Sequence, residues 1–292
     1  MRPVSVWHNV IGQRRSTRLL QRMIDGSRTL GRVLQSVLML GASGLGKSHL
    51  AQAIAAAIGT TLHLYLCTAE ITIDELAELV AIWSAGDVVF LDEVHNLSRP
   101  VQEALFSILD AQNITVLAAT DRPGTLLSAF KKRFPLRLDL HPYSQREMVA
   151  IVRQRAADSN VLLTAQAAKA LAQTCRGAPR IARHQLNNLT AYFGANSPRE
   201  FTSERVRQFL AALEIDALGL GRADRQYMKV LDERQGRGVS LHYLALRLSI
   251  DEAQIANDIE PYLVQNGLIV LDRRGRLLST EGLEYIHEKH DG

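Results

Sequence analysis

"VLMLGASGLGKSHLAQAIAAAIG", residues 37–59, is the stretch from which the fold can be read. Val33–Leu40 reads as a buried strand, and Lys47–Ile58 as a helix with Gly59 as its stop. Between them, Gly41-Ala42-Ser43-Gly44-Leu45-Gly46-Lys47-Ser48 fits the G-x-x-x-x-G-K-[ST] phosphate loop. Only glycine lets the backbone wrap closely round a triphosphate, because a Cβ would clash. Successive backbone N–H groups and the helix N-terminus then face the anion. Lys47 is placed to reach the β- and γ-phosphates, and the Ser48 hydroxyl to ligate Mg²⁺. A strand before and a helix after are the context this chemistry requires.

A phosphate loop needs an acidic counterpart, and "VVFLDEVH" supplies one at a strand end. Asp92 is expected to face Mg²⁺, and Glu93 to polarise the attacking water. His95 carries no assigned role. "ITVLAATDR" ends a neighbouring strand in Thr120, a polar tip able to hold the water or the γ-phosphate. "SAFKKRF" contains three consecutive cations, Lys131, Lys132 and Arg133, and Arg133 is a candidate arginine finger acting on a neighbouring subunit's nucleotide. "RGAPRIARHQL" puts Arg180 in the first turn of a helix. The helix dipole disfavours a cation there, so the residue is expected to face an anion.

The organisation around these motifs is α/β. Further strands read at Thr60–Cys67 and over "DVVFLDEVH" and "ITVLAAT". Helices alternate with them: Thr72 and Glu75 form a capping box for one that ends near Trp83, and Ser98-Arg99-Pro100 opens another that runs to about Asp110. Such alternation predicts a parallel sheet with helices on both faces. After Leu140 the pattern turns all-helical. Ser144 and Glu147 cap a helix to about Asp158, followed by Ala165–Cys175, Pro179–Phe193 and Ser203–Leu213. From Asp216 come helices at Asp224–Arg234, Leu241–Leu248 and Glu252–Asn266, a hairpin in "GLIVLDRRGRLLST", and a closing helix to about Lys289. That order is the winged-helix arrangement. The expected domains are a nucleotide domain (1–140), a helical lid (141–215) and a winged helix (216–292).

Composition narrows the class. With 292 residues, 47% hydrophobic and 22% charged, the chain has the make-up of a soluble globular protein. No apolar run is long enough for a bilayer and no apolar leader core is visible, so a cytoplasmic protein with no membrane partner is expected. The two cysteines, Cys67 and Cys175, sit in apolar segments without metal-ligand spacing and read as buried thiols. A net charge of +4 alone decides little, but Arg273, Arg274 and Arg276 cluster in and beside the hairpin turn. There they are expected to meet DNA phosphate without reading sequence.

Taken in order, these motifs resemble the AAA+ ATPases, and within them the RuvB family of Holliday-junction branch-migration motors. "RPVSVWHNVIGQ" is similar to the family's N-terminal segment and "RGAPRIA" to its sensor 2. "EIDALGLGRADRQYM" and "IEPYLVQNGLIVLDRRGR" are similar to its winged helix. The resemblance implies that Val10 and Ile11 line the adenine pocket. It places Gly41, Gly44, Leu45, Gly46, Lys47, Ser48 and His49 on the nucleotide. Tyr143, Pro179 and Arg180 would close over it from the lid, Thr120 would be sensor 1, and Arg133 the finger acting in trans. ATP and Mg²⁺ are the implied cofactors, DNA the partner, and a homo-oligomer, as a hexameric ring, the working form.

The family's hairpin that docks on RuvA falls between the Walker B helix and the sensor 1 strand. "EALFSILDAQNITVLAATDR" leaves no room for it. A protein partner other than RuvA is therefore expected. The function implied is ATP hydrolysis coupled to translocation on DNA. The alternatives are an ATP-dependent DNA-binding switch or loader that recruits another protein, and a remodelling ATPase whose winged helix binds protein.

Overall fold

The computed structural model describes residues 6–111 and 113–288, apart from the side chains of His8 and Asn196. Contacts divide the chain into two units, residues 1–155 with 177–184, and residues 156–176 with 185–292. The boundary passes through two helices, Gln145–Asp158 and Pro179–Phe193.

The first unit opens with α1 (Arg14–Thr29), β1 (Val37–Leu40), α2 (Lys47–Ile58), β2 (Leu62–Leu66) and α3 (Ile73–Ala81). It continues with β3 (Val88–Asp92), α4 (Arg99–Ala111), β4 (Thr115–Thr120), α5 (Ser128–Lys132) and β5 (Leu136–Asp139). All strand pairs are parallel, in the order β2-β3-β4-β1-β5. A parallel sheet buries both faces, and side-chain alternation divides the core accordingly. Val37, Met39, Phe90 and Leu117 pack against Leu20 of α1 and Leu50 and Ile54 of α2. Leu38, Val89, Leu91 and Val116 face Leu76 of α3, Leu105 of α4 and Phe130 of α5 on the other side.

The ends of α2 are set by glycine. Gly46 and Gly59 flank it at φ 90° and 85°, and the Gly59 N–H closes on the Ala55 carbonyl. The Thr72–Glu75 capping box forms as expected, with Thr72 N donating to Glu75 Oε2 at 2.9 Å.

Three elements were not expected from the sequence: α1, α5 and the edge strand β5. The first strand is also shorter than expected. Residues 34–36 reach β4 through side chains instead of the ladder: Thr115 Oγ1 donates to Leu34 O (2.8 Å), and Val116 N to Ser36 Oγ (3.1 Å). Only residues 112–114 separate α4 from β4, too few for a two-stranded hairpin.

Helix α6 (Gln145–Asp158) and α8 (Pro179–Phe193) span the boundary; α7 (Ala165–Gln173) and α9 (Ser203–Ala212) belong to the second unit. Ser144 caps α6 through a reciprocal pair with Glu147, its N–H donating to Oε2 at 3.0 Å. The rest of the second unit is α10 (Arg222–Asp232), α11 (Leu241–Leu248), a composite helix, the hairpin β6 (Ile269–Asp272) and β7 (Gly275–Leu278), and α14 (Thr280–Glu288). The composite helix passes from α12 (Glu252–Gln254) through a π turn (Ile255–Ile259) into α13 (Glu260–Gln265). The expected end of the last helix, Lys289, lies outside the described residues. Tyr227, Met228, Leu244, Ile255 and Leu263 belong to a core cluster formed by the elements from α10 onward. Among the described residues, no helix is long and apolar enough to cross a membrane.

Candidate functional site

The strand–loop–helix at residues 37–58 builds a cradle. Gly41, Gly44 and Gly46 have φ of 151°, 83° and 90°. A Cβ at Gly41 would lie 2.8 Å from the Leu140 carbonyl, and one at Gly46 would lie 3.2 Å from the Tyr143 hydroxyl. The Lys47 side chain arches back over the loop, its ammonium donating to Gly41 O (2.8 Å) and Ala42 O (3.2 Å). This pair of carbonyls holds the cation where an anion in the cradle would meet it. Tyr143 braces the loop from outside by donating to Leu45 O at 3.1 Å.

Parallel pairing brings the acids alongside. Leu66 pairs with Asp92 across β2 and β3, and Leu40 with Thr120 across β1 and β4. Ser48 Oγ donates to Asp92 Oδ2 at 3.4 Å, so two hard oxygens share one spot. Asp92 Oδ1 accepts the Glu93 N–H at 3.0 Å. Glu93 itself sits in the left-handed region, φ 54° and ψ 42°, which turns its side chain off the strand end. Its Oε2 is buried without a hydrogen bond; His95 Nδ1 is 3.3 Å away, off the bonding direction. Burial, then the charges of Asp121 and Asp92, push the Glu93 carboxyl up from its ordinary value, against the pull of Lys47 and His95.

His95, to which the sequence reading gave no role, is central to this cluster. Its Nδ1 lies 3.1 Å from Thr120 Oγ1 and 3.5 Å from Asp121 Oδ1. Thr120, wholly buried, also accepts the Arg122 N–H at 2.9 Å. Thr120 therefore meets Glu93 through His95.

A cavity joins these groups. Lys47, Ser48, His49, Asp92 and Glu93 line one side, and Pro179 and Arg180 the other. Arg155 of α6 and Arg183 of α8 line it as well. Neither was singled out from sequence, since each is one arginine of many on a helix. Only the fold shows that three guanidinium-bearing residues converge on the loop. Glycine cradle, ammonium, hard-oxygen pair and convergent arginines fit a magnesium–triphosphate.

Other expected residues lie elsewhere. Val10 packs against the α1–α2 side of the core, and His49 Nε2 is 3.3 Å from Asn9 O, which ties the first turn (Val6–Asn9) to α2. Neither Val10 nor Ile11 lines the cavity. Arg133 is also outside it. Its Nε donates to both carboxylate oxygens of Asp110 (3.0 and 3.1 Å), and its guanidinium stacks 3.8 Å over the Phe106 ring.

At the wing, Arg273 and Arg274 occupy the two-residue turn between Asp272 and Gly275 and are exposed. Arg276 corrects the expectation. Its guanidinium donates to both oxygens of Glu260 (2.8 and 3.3 Å), and Glu260, 4% exposed, also accepts the Tyr227 hydroxyl at 2.9 Å. Arg276 is thus fixed inside the unit and is not presented to a phosphate. Exposed Arg237 lies on a loop pressed against the turn. A Cβ on its neighbour Gly238 would fall 2.2 Å from Arg274 O.

Comparison with known proteins gives one answer along the chain. Residues 1–117 match the model of the Holliday junction DNA helicase RuvB P-loop domain, 143–216 the RuvB AAA lid domain, and 217–287 the RuvB C-terminal winged helix domain. The Holliday junction branch migration complex subunit RuvB of Fervidobacterium nodosum is 31% identical, over 94% of this chain and 86% of its own. That of Thermotoga petrophila is 30% identical over 312 aligned positions, covering 100% of this chain and 92% of its own. A solved structure of the Thermotoga maritima RuvB Holliday junction branch migration motor superimposes with a TM-score of 0.86 at 29% identity, covering 95% of each chain.

Proposed function

The chain belongs to the RuvB family of AAA+ ATPases, and from that premise we propose that it is an ATP-driven motor acting at branched DNA, Holliday junctions in particular. It is an ATP hydrolase. The observation that carries the reading is the convergence of Lys47, the Ser48–Asp92 pair, unbonded Glu93 Oε2 and Arg155, Arg180 and Arg183 on one glycine cradle.

The loop N–H groups and Lys47 bind the β- and γ-phosphates. Ser48 and Asp92 hold Mg²⁺, which when bound neutralises charge developing on the phosphate oxygens. Glu93 orients the water and takes its proton, and its raised pKa makes it a better base than an ordinary carboxylate. Thr120 serves as sensor 1, hydrogen-bonded to His95, whose ring lies beside Glu93. Pro179 and Arg180 close on the phosphates from the lid, with Arg155 and Arg183 beside them. By the family resemblance Val10, Ile11 and Tyr143 border the base, outside the cavity that takes the phosphates. Arg133, held by Asp110, is the finger offered to the next subunit, so the working form is a ring of copies, hexameric by the family resemblance. We assign the nucleotide domain to 1–140, the lid to 141–215 and the winged helix to 216–292. Arg273 and Arg274 hold DNA phosphate there. The relatives are named as subunits of a branch migration complex, and no finding supports a protein partner other than RuvA.

The test is the ATPase rate with duplex, single-stranded and four-way DNA, run with strand-exchange readout on a labelled junction. The four-way substrate should stimulate most and its arms should move. Hydrolysis without movement, with or without RuvA, would favour a DNA-bound switch instead. Mixing Arg133→Ala with Lys47→Ala should restore part of the activity each lacks alone; failure to complement refutes the trans finger.

A further inference from the structure

Helix α1 carries Arg14, Arg15, Arg18 and Arg22, all exposed. At about 100° per residue they fall within an arc of about 100°. That arc lies opposite the buried Ser16, Thr17, Leu20 and Ile24. Among the described residues, none of the four guanidinium groups has a hydrogen bond, ion pair or ring contact. The one acid of the helix, Asp25, follows Arg22 without pairing to it. Residues 14–22 hold no acid and carry a net +4, as much as the whole chain. At its N-terminal end the stripe runs into a cavity where Arg14 and Arg15 meet Arg137 of the edge strand β5 and His141. Asp139 and Glu147 line that cavity too, and Glu147 is engaged by Ser144.

We propose that this face of α1 is a contact for the phosphate backbone of duplex DNA, separate from the wing. The inference rests on the DNA-directed function proposed above. From Arg14 to Arg22 the helix advances about 12 Å at about 1.5 Å per residue. A duplex carries one charge per about 1.7 Å, or about seven over that length. Four unpaired guanidinium groups therefore have phosphates within reach along their whole row. No aromatic residue is interleaved for base stacking, so the contact is blind to sequence. A protein partner would need an apolar anchor, and the stripe offers only Leu19, 38% exposed.

The experiment titrates a labelled 30-mer duplex against the full chain by fluorescence anisotropy at several salt concentrations. Each lost phosphate contact should make the slope of log K against log salt shallower by about 0.9. Arg15→Gln, Arg18→Gln and Arg22→Gln together should reduce it by about 2.7 and weaken binding at least about tenfold at 0.1 M salt. The same three positions changed to Lys should keep the slope, and DNA-free ATP turnover should be unchanged in both variants. The inference is overturned if the Gln variant binds like the unaltered chain while Arg273→Gln with Arg274→Gln weakens binding, or if the Lys variant behaves like the Gln variant. If the unaltered chain binds no duplex at any salt, the DNA-directed function itself falls.

Discussion

Replacing Arg276 with alanine separates two readings of the wing. If the residue holds DNA, its loss weakens binding and leaves the fold alone. The structure argues the reverse. Glu260, its side chain 5% exposed, faces an Arg276 side chain only 23% exposed, with two charge-assisted bonds at 2.8 and 3.3 Å. Both charges raise the cost of losing either one. The Arg276 guanidinium is held more firmly protonated by Glu260, and burial with the neighbouring carboxylate pushes the Tyr227 hydroxyl up. Alanine leaves a buried carboxylate bonded only to Tyr227, a one-sided break that costs about 3–5 kcal/mol. At about 1.4 kcal/mol per tenfold, amides that exchange by unfolding of this unit should exchange about 100-fold faster or more. The reporters are the Val239 and Arg276 N–H groups, paired across the Val239–Arg276 bridge at 3.0 and 2.9 Å. Hydrogen exchange by mass spectrometry reads them directly. Glu260→Met with Arg276→Met should recover most of the loss, because a matched apolar pair strands no charge. Unchanged exchange in Arg276→Ala, together with weakened DNA binding, would refute the reasoning.

Glu93→Gln should bind ATP and barely hydrolyse it, yet melt at a higher temperature than the unaltered chain without nucleotide. The raised carboxyl means that the fold binds its proton more tightly than the unfolded chain does, so stability falls as pH rises past the ordinary value, and a neutral amide removes that loss. The acid limb of the ATPase pH profile should lie above 4.5, and Asp121→Asn, by removing a like charge, should move it down; an unmoved limb argues against Asp121 as a cause. Cys67 and Cys175, both buried and pushed up to about 12, should resist iodoacetamide at pH 8 until the chain is denatured, when two thiols react.

The parts legible from sequence were those where local chemistry leaves no choice. Helix α2 could be bounded to the residue because both ends are glycines with positive φ. Asp92 and Glu93 stood out because acids rarely follow Val-Val-Phe-Leu. By contrast, "LRLD" of β5 is short and alternates charge with leucine, as an edge strand does, and carries little signal against a loop. Helix α1 was hidden because its apolar stripe is narrow and arginines dominate it. Arg155 and Arg183 join the site through packing alone. The wing arginines differ by register. Arg274 falls in the turn and Arg276 two residues on, where it pairs with Leu271 and its side chain meets Glu260. Nothing local distinguishes the two until Glu260 is placed.

Glu93 holds a backbone shape that L-residues adopt at a cost of about 1–2 kcal/mol. Glycine would relieve that cost and remove the carboxylate together. A search for thermostable variants that scores melting alone would therefore enrich Glu93→Gly, discarding the side chain we propose activates water. Heat tolerance and turnover pull against each other at this one position, so a hardened version of the enzyme has to gain its stability elsewhere.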